Sequence, residues 1–140
     1  MIWKFEPTVE GLNAMGDNTI AEQIGIQFTE VGDDYLVATM PVDKRTHQPM
    51  GILHGGASVV LAETLGSVAS YLCLEDPMKQ SAVGLNVTAD HLRPISKGLV
   101  KGIVRPIKIG RKIHLWSIEI RNDKDQLVCV SKLAVMVIPR

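Results

Sequence analysis

GGASVVLAETLGSVASYLCL, residues 55–74, holds a single charged side chain, Glu63. No Pro interrupts the run, and its length of twenty residues suits one long helix. Twenty apolar residues would also be about enough to cross a bilayer. A carboxylate near the midpoint is costly in lipid, however, and no basic flank sets an orientation. The reading is therefore a core helix, apolar nearly all round because a sheet wraps it.

The segments around this helix supply that sheet. Upstream, Gly25 to Val31 and Tyr35 to Val42 are rich in β-formers, and Gly32-Asp33-Asp34 between them is turn chemistry, so they read as a hairpin. Pro41 should end the second strand or sit on an edge. Thr8 to Gly16 reads as a short helix, with Thr8 as cap and Leu12 and Met15 three residues apart. Residues 43–53 form a polar connection without a period. Downstream, after the breaker Glu75-Asp76-Pro77, strands are expected at 82–92, 98–109, 112–121 and 127–138. In the third, Trp116, Ile118 and Ile120 alternate with Ser117, Glu119 and Arg121, which gives one wet face. The last is apolar on both faces apart from Ser131 and Lys132, as suits a strand inside a sheet. All these apolar strand faces need the one helix as partner, so the expected class is α+β: a strongly curved antiparallel sheet around a single central helix.

A chain of 140 residues encloses one core, so residues 1–140 read as one domain. The net charge is zero but uneven. Residues 1–92 carry four Lys/Arg against twelve Asp/Glu, and residues 93–121 carry eight against one, Glu119. Such a basic stripe attracts phosphates or simply solvates outer strand faces. With few aromatics and no net charge, nucleic-acid binding is not expected. Cys73 and Cys129 form no CxxC, and the start MIWKFEPT has neither a basic region nor an apolar signal core, so a reduced, cytoplasmic protein is expected, with no membrane anchor. The four histidines show no HxxxH or HExxH spacing, so no metal and no redox cofactor are expected.

Chemistry concentrates on the helix and its approach. A lone carboxylate in an apolar helix pays desolvation, which suits a base or nucleophile; Glu63 could equally face a wet edge or pair with a cation from the sheet. His54-Gly55-Gly56 stands at the helix start, where unpaired backbone N–H groups and the dipole favour negative charge, and a glycine lets a carbonyl oxygen come close. An oxyanion could be held there; the two glycines could also merely start the helix against a crowded strand. Ser67, one turn after Glu63, could bond the carboxylate or an attacking water, or could serve close packing. Gln48 and His54 flank the preceding loop and could donate to a carbonyl. Gly55 and Glu63 are eight residues apart, about 12 Å along a helix, too far to act on one carbonyl together. If both are catalytic, the donor of one chain meets the carboxylate of another across a twofold axis, and the active unit is at least a dimer. The chain has no GxSxG elbow, no phosphate loop GxxxxGK[ST] and no GxGxxG fingerprint.

The chain resembles the hotdog-fold thioesterases of the 4-hydroxybenzoyl-CoA type in which a helix glutamate is catalytic. The resemblance is carried by MIWK at the start, ATMPVD at 38–43, RTHQPMGILHGGASVVLAETLGS at 45–67, GLNVTADHLRP at 84–94, and the later Gly110-Arg111, Trp116 and Cys129. Within that family it is similar to two branches, one that clears misloaded aryl carrier protein in enterobactin synthesis and one that hydrolyses a dihydroxynaphthoyl-CoA. The resemblance implies a hotdog fold and hydrolysis of aromatic or medium-chain acyl thioesters of CoA or of acyl carrier protein, without a cofactor. It implies Glu63 as nucleophile or base, the Gly55 N–H as carbonyl donor with Gln48 and His54 around it, and Ser67 as the group that orients water or carboxylate. It further implies that His91 lies near the aryl end, that Gly84, Arg93 and the turn of Lys108, Gly110 and Arg111 hold pantetheine and phosphates, and that the assembly is a homotetramer of dimers. Asn86 and Asp90 depart from the naphthoyl branch, which bears on acyl preference. Two other functions stand beside hydrolysis: a hotdog enoyl hydratase or dehydratase, although the HFPxxP-like segment many of those carry is missing, and a non-catalytic acyl-CoA-binding module.

Overall fold

The structure, a computed structural model, describes residues 1–140. In chain order it forms α1 (Val9–Ala14), α2 (Ile20–Gln23), β1 (Gln27–Val31), β2 (Leu36–Val42), α3 (Gly55–Leu72), β3 (Gln80–His91), β4 (Gly98–Ile109), β5 (Ile113–Arg121) and β6 (Leu127–Pro139). The strands make one antiparallel sheet in the order β1-β2-β4-β5-β6-β3. The expected hairpin, the four later strands and the single long helix are all present. β6 lies between β5 and β3, with the face of Cys129, Ser131, Leu133 and Val135 buried and the face of Val130, Lys132, Ala134 and Met136 partly exposed.

Two local features refine the sequence expectation. Of the two places expected for Pro41 it takes the edge: it sits within β2, opposite Leu99 of β4, one residue before the strand ends. It is tolerated because β1 begins opposite Thr39, so the other side of β2 has no ladder at Pro41. The second is α2, a four-residue helix absent from the sequence reading. Thr19 caps it by accepting from the Ala21 N–H at 3.2 Å, and the Glu22 carboxylate accepts from the Asn18 N–H at 2.5 Å.

On α3 the buried positions Ser58, Leu61, Ala62, Leu65, Gly66, Ala69 and Ser70 recur every three to four residues and face the concave side of the sheet. Against them pack Val100 and Val104 of β4, Trp116, Ile118 and Ile120 of β5, and Leu133 and Val135 of β6, all fully buried. The sheet wraps this one face only. Val59, Val60, Val68 and Tyr71, together with Glu63, Thr64 and Ser67, stay half-buried, so within one chain α3 is not enclosed on all sides as its apolarity suggested. No helix is long and apolar enough to cross a membrane.

One polar cluster is sealed in this core. The Trp116 indole N–H donates to Ser70 Oγ at 2.7 Å, and the Ser70 hydroxyl lies 3.0 Å from His114 Nδ1. Since the hydroxyl oxygen already accepts from the indole, its proton is free to go to His114 Nδ1. Burial lowers the pKa of His114, with a smaller opposing effect from a backbone hydrogen bond to Gly110.

Candidate active site

The loop before α3 folds back on itself through an isolated bridge between His47 and Leu53. The Gln48 N–H donates to Ile52 O and the His54 N–H to Thr46 O, each at 2.8 Å, so Gln48 and His54 flank one short loop. Its Gln48 amide oxygen accepts from the Met50 N–H, leaving the amide nitrogen without a partner in the chain. At the helix start the Gly56 N–H donates to His54 Nδ1 at 2.8 Å, so a neutral His54 ring carries its proton on Nε2. The Ala57 and Ser58 N–H groups both donate to His54 O. The Gly55 N–H alone in this first turn has no acceptor among the chain's hydrogen bonds. An orphan amide at a helix N-terminus is a ready donor for a developing oxyanion.

Eight residues along, Glu63 takes part in none of the four ion pairs and in none of the side-chain hydrogen bonds, which disposes of pairing with a sheet cation. Its half-buried carboxylate lies against β3: a Cβ built on Gly84 would stand 2.7 Å from Glu63 Oε2. A β-bulge between Gly84 and Asn86 interrupts the β3–β6 ladder at this point. At the far end of the same strand, the His91 ring covers the helix start, where a Cβ on Gly55 would meet His91 Nε2 at 2.9 Å. One strand therefore touches both chemical positions, Glu63 at Gly84 and Gly55 at His91.

Ser67 lies one helical turn beyond Glu63 and opens on a cavity of about 250 Å³ with Thr64 and Val68. The opposite wall is apolar and comes from the first 28 residues: Leu12, Met15, Ile20, Ile26 and Phe28. This wall was not expected from the sequence; apart from the spacing of Leu12 in α1 and Met15 at its C-cap, the segment shows no period that points toward residue 67. Neither cysteine belongs to the site. Burial pushes the Cys73 thiol up to about 11 and also raises Cys129, so neither is a thiolate near neutral pH.

The expected substrate-binding residues, His91 at the aryl end and the others along pantetheine and phosphates, fall into three places. Gly84 adjoins Glu63, and His91 and Arg93 line a second cavity with Gly55 and the buried Ser58. Gly110 and Arg111 lie beside Cys73 at the opposite end of α3, with Lys108 exposed just before them on β4.

The profile described as the thioesterase superfamily matches residues 50–129. The 1,4-dihydroxy-2-naphthoyl-CoA hydrolase of Escherichia coli is 49% identical over 99% of this chain and 100% of its own. The proofreading thioesterase EntH of Cronobacter turicensis is 49% identical over 98% of each chain. A crystal structure of a mutant of thioesterase PA1618 from Pseudomonas aeruginosa superposes with a TM-score of 0.97 at 46% identity, covering 100% of both chains. Sheet order, central helix and full-length similarity agree: the chain is a hotdog-fold enzyme that belongs to the thioesterase superfamily.

Proposed function

We propose that the protein hydrolyses aromatic or medium-chain acyl thioesters of CoA or of a carrier protein's phosphopantetheine, at sites shared between two copies of the chain. The observation that carries this reading is the double contact of β3. β3 is an edge strand with one side unpaired, and it presents Val83 at 41% and Leu85 at 55% exposure. A twofold axis near Val87 that pairs two such edges antiparallel sets Gly84 of one copy opposite His91 of the other. Because Glu63 rests on Gly84 and Gly55 on His91, the same operation carries the carboxylate of one copy toward the free amide of the other. Such pairing would also cover the half-buried face of α3. The resemblance extends the assembly to a tetramer of two dimers.

In this site the acyl group enters the apolar cavity beside Ser67, and the thioester oxygen accepts from the Gly55 N–H, with Gln48 Nε2 and His54 Nε2 as further donors. Glu63 supplies the nucleophile, either its own oxygen or a water it deprotonates, with Ser67 orienting that attack. The C–S bond breaks, the thiolate takes up a proton, and net addition of one water gives carboxylic acid and thiol. Oxyanion donors and a positioned base each contribute orders of magnitude to such a reaction.

The shared site is tested by mixing two inactive variants. Glu63→Gln removes the base, and Gly55→Pro removes the amide proton at a first helical position whose backbone accepts proline, the His91 ring having to shift away from the added Cβ. After subunit exchange, half of the dimers hold one variant of each kind, and each of these contains one intact site. Activity on benzoyl-CoA should return to about a quarter of wild type. No recovery, with exchange verified by mass spectrometry, would refute a site shared between chains.

A further inference from the structure

We infer that the turn Gln48-Pro49-Met50-Gly51 aims the side-chain carbonyl donor: the Met50 N–H fixes the Gln48 amide with its nitrogen outward, and Gly51 keeps that N–H in place. This rests on the thioesterase reading above and adds to it Met50 and Gly51 as positioning residues, both acting through Gln48.

A glutamine amide has one end that donates and one that accepts, and a loose one presents either. In this chain a single orientation is satisfied. The Met50 N–H donates to Gln48 Oε1. Turning the amide over would bring the NH2 group against that N–H, donor against donor, so the nitrogen is held away from the loop. A carbonyl oxygen that reaches Gln48 therefore meets a donor and not a second acceptor.

The backbone that carries the Met50 N–H is itself fixed from both sides. The Gly51 N–H donates to Gln48 O at 2.9 Å, which closes the turn, and the Gln48 N–H donates to Ile52 O at 2.8 Å. Proline in the second position and glycine in the fourth is the order such a turn favours, and Pro49 also confines Gln48 before it to extended conformations. Outside the turn, the Leu53 N–H donates to Ile95 O at 2.7 Å and His47 Nε2 lies 2.9 Å from Ser96 O, which anchors the loop on the connection between β3 and β4. Gly51 has a φ of 76°, in the left-handed region, while a Cβ built there meets nothing within 4 Å. Conformation, and not space, calls for glycine at this place. The Met50 side chain is 77% exposed, so packing does not locate the residue; its backbone does. A donor to a developing oxyanion is most effective when its direction is set beforehand, because nothing then has to rearrange as charge builds.

The test compares Gly51→Val and Gly51→Asn in the full-length chain, each alone and combined with Gln48→Ala, with benzoyl-CoA as substrate. Valine strains the left-handed backbone without a clash, whereas asparagine tolerates it. The turn is exposed at residues 49–51, so each variant should melt with the wild type by circular dichroism. Gly51→Val should lower kcat about tenfold with KM within about twofold, the pattern of a contact made only in the transition state. Gly51→Asn should recover most of that loss. In the Gln48→Ala background, with no amide left to aim, Gly51→Val should cost less than about twofold in kcat. An equal loss in both backgrounds, a loss that Gly51→Asn shares in full, or wild-type kcat in Gly51→Val overturns the positioning role while hydrolysis stands. If the wild type releases thiol from neither benzoyl-CoA nor straight-chain acyl-CoA esters, the thioesterase reading itself falls.

Discussion

Gly84 shows how one missing side chain positions another residue's charge. Its absent Cβ leaves the space that Glu63 Oε2 occupies. Gly84 has no positive φ, so alanine fits the backbone there and only the carboxylate must move. A misplacement on the order of 1 Å can cost about 100-fold in rate. Gly84→Ala should therefore lower kcat by about 10- to 100-fold while the melting temperature is preserved, as steady-state kinetics and calorimetry would show. Unchanged kcat would mean that Glu63 does not act from this position. Glu63 stood out in the sequence as the one charge in an apolar run, with a base or nucleophile, a wet edge and a pair with a sheet cation all open; the structure removes only the last of these. Its neighbour Gly84 was expected only through resemblance and only as a pantetheine contact, since the approach of strand to carboxylate depends on the bulge. Ser58, whose buried Oγ has no hydrogen-bond partner in the chain, was not legible at all: nothing in ASVV distinguishes an unsatisfied hydroxyl from a small packing residue.

At the level of elements, the strands and α3 were readable almost to their ends, because alternation in β5 and the uninterrupted apolar run of α3 are local signals. α2 was not, because four residues are too few to show a period. The signal available was Thr19 followed three residues later by Glu22; the structure uses both side chains at the helix start, Thr19 on the Ala21 N–H and Glu22 on the Asn18 N–H, in place of the reciprocal capping-box pair. The joint between α3 and β5 has a consequence for acid stability. His114 is held neutral between Ser70 and the sheet, and burial is the main cause of its lowered pKa. The unfolded chain then binds a proton that the folded chain refuses, so this contribution is fully present above the unfolded value of 6.5. It is lost progressively as pH falls below that value toward the lower folded pKa. Urea melts at pH 7.5 and 5.5 should show a larger loss of stability for the wild type than for His114→Gln. Equal losses would show that His114 is not the group responsible.

For the molecule as a whole, the feature the sequence could only suggest is incompleteness. A helix too apolar for its exposure and an unpaired twelve-residue edge strand belong to a surface that water does not satisfy well. The sequence pointed there through the 12 Å separation of Gly55 and Glu63, but not to the strand that bridges them. Lysines at an edge discourage pairing, so Val83→Lys/Leu85→Lys should yield a folded monomer by light scattering and circular dichroism. That monomer should retain less than about a hundredth of wild-type activity, a loss comparable to removing the general base. A fully active monomer would place the whole site within one chain.

Because β3 touches the glutamate near one of its ends and the helix amide at the other, in a paired assembly it acts as a ruler for both. Sliding the two strands by a residue pair would lengthen or shorten the gap between proton acceptor and carbonyl donor at both sites at once. Tight association in the wrong alignment would then give a stable but inert enzyme, so strength of assembly alone is no guide to whether a variant works.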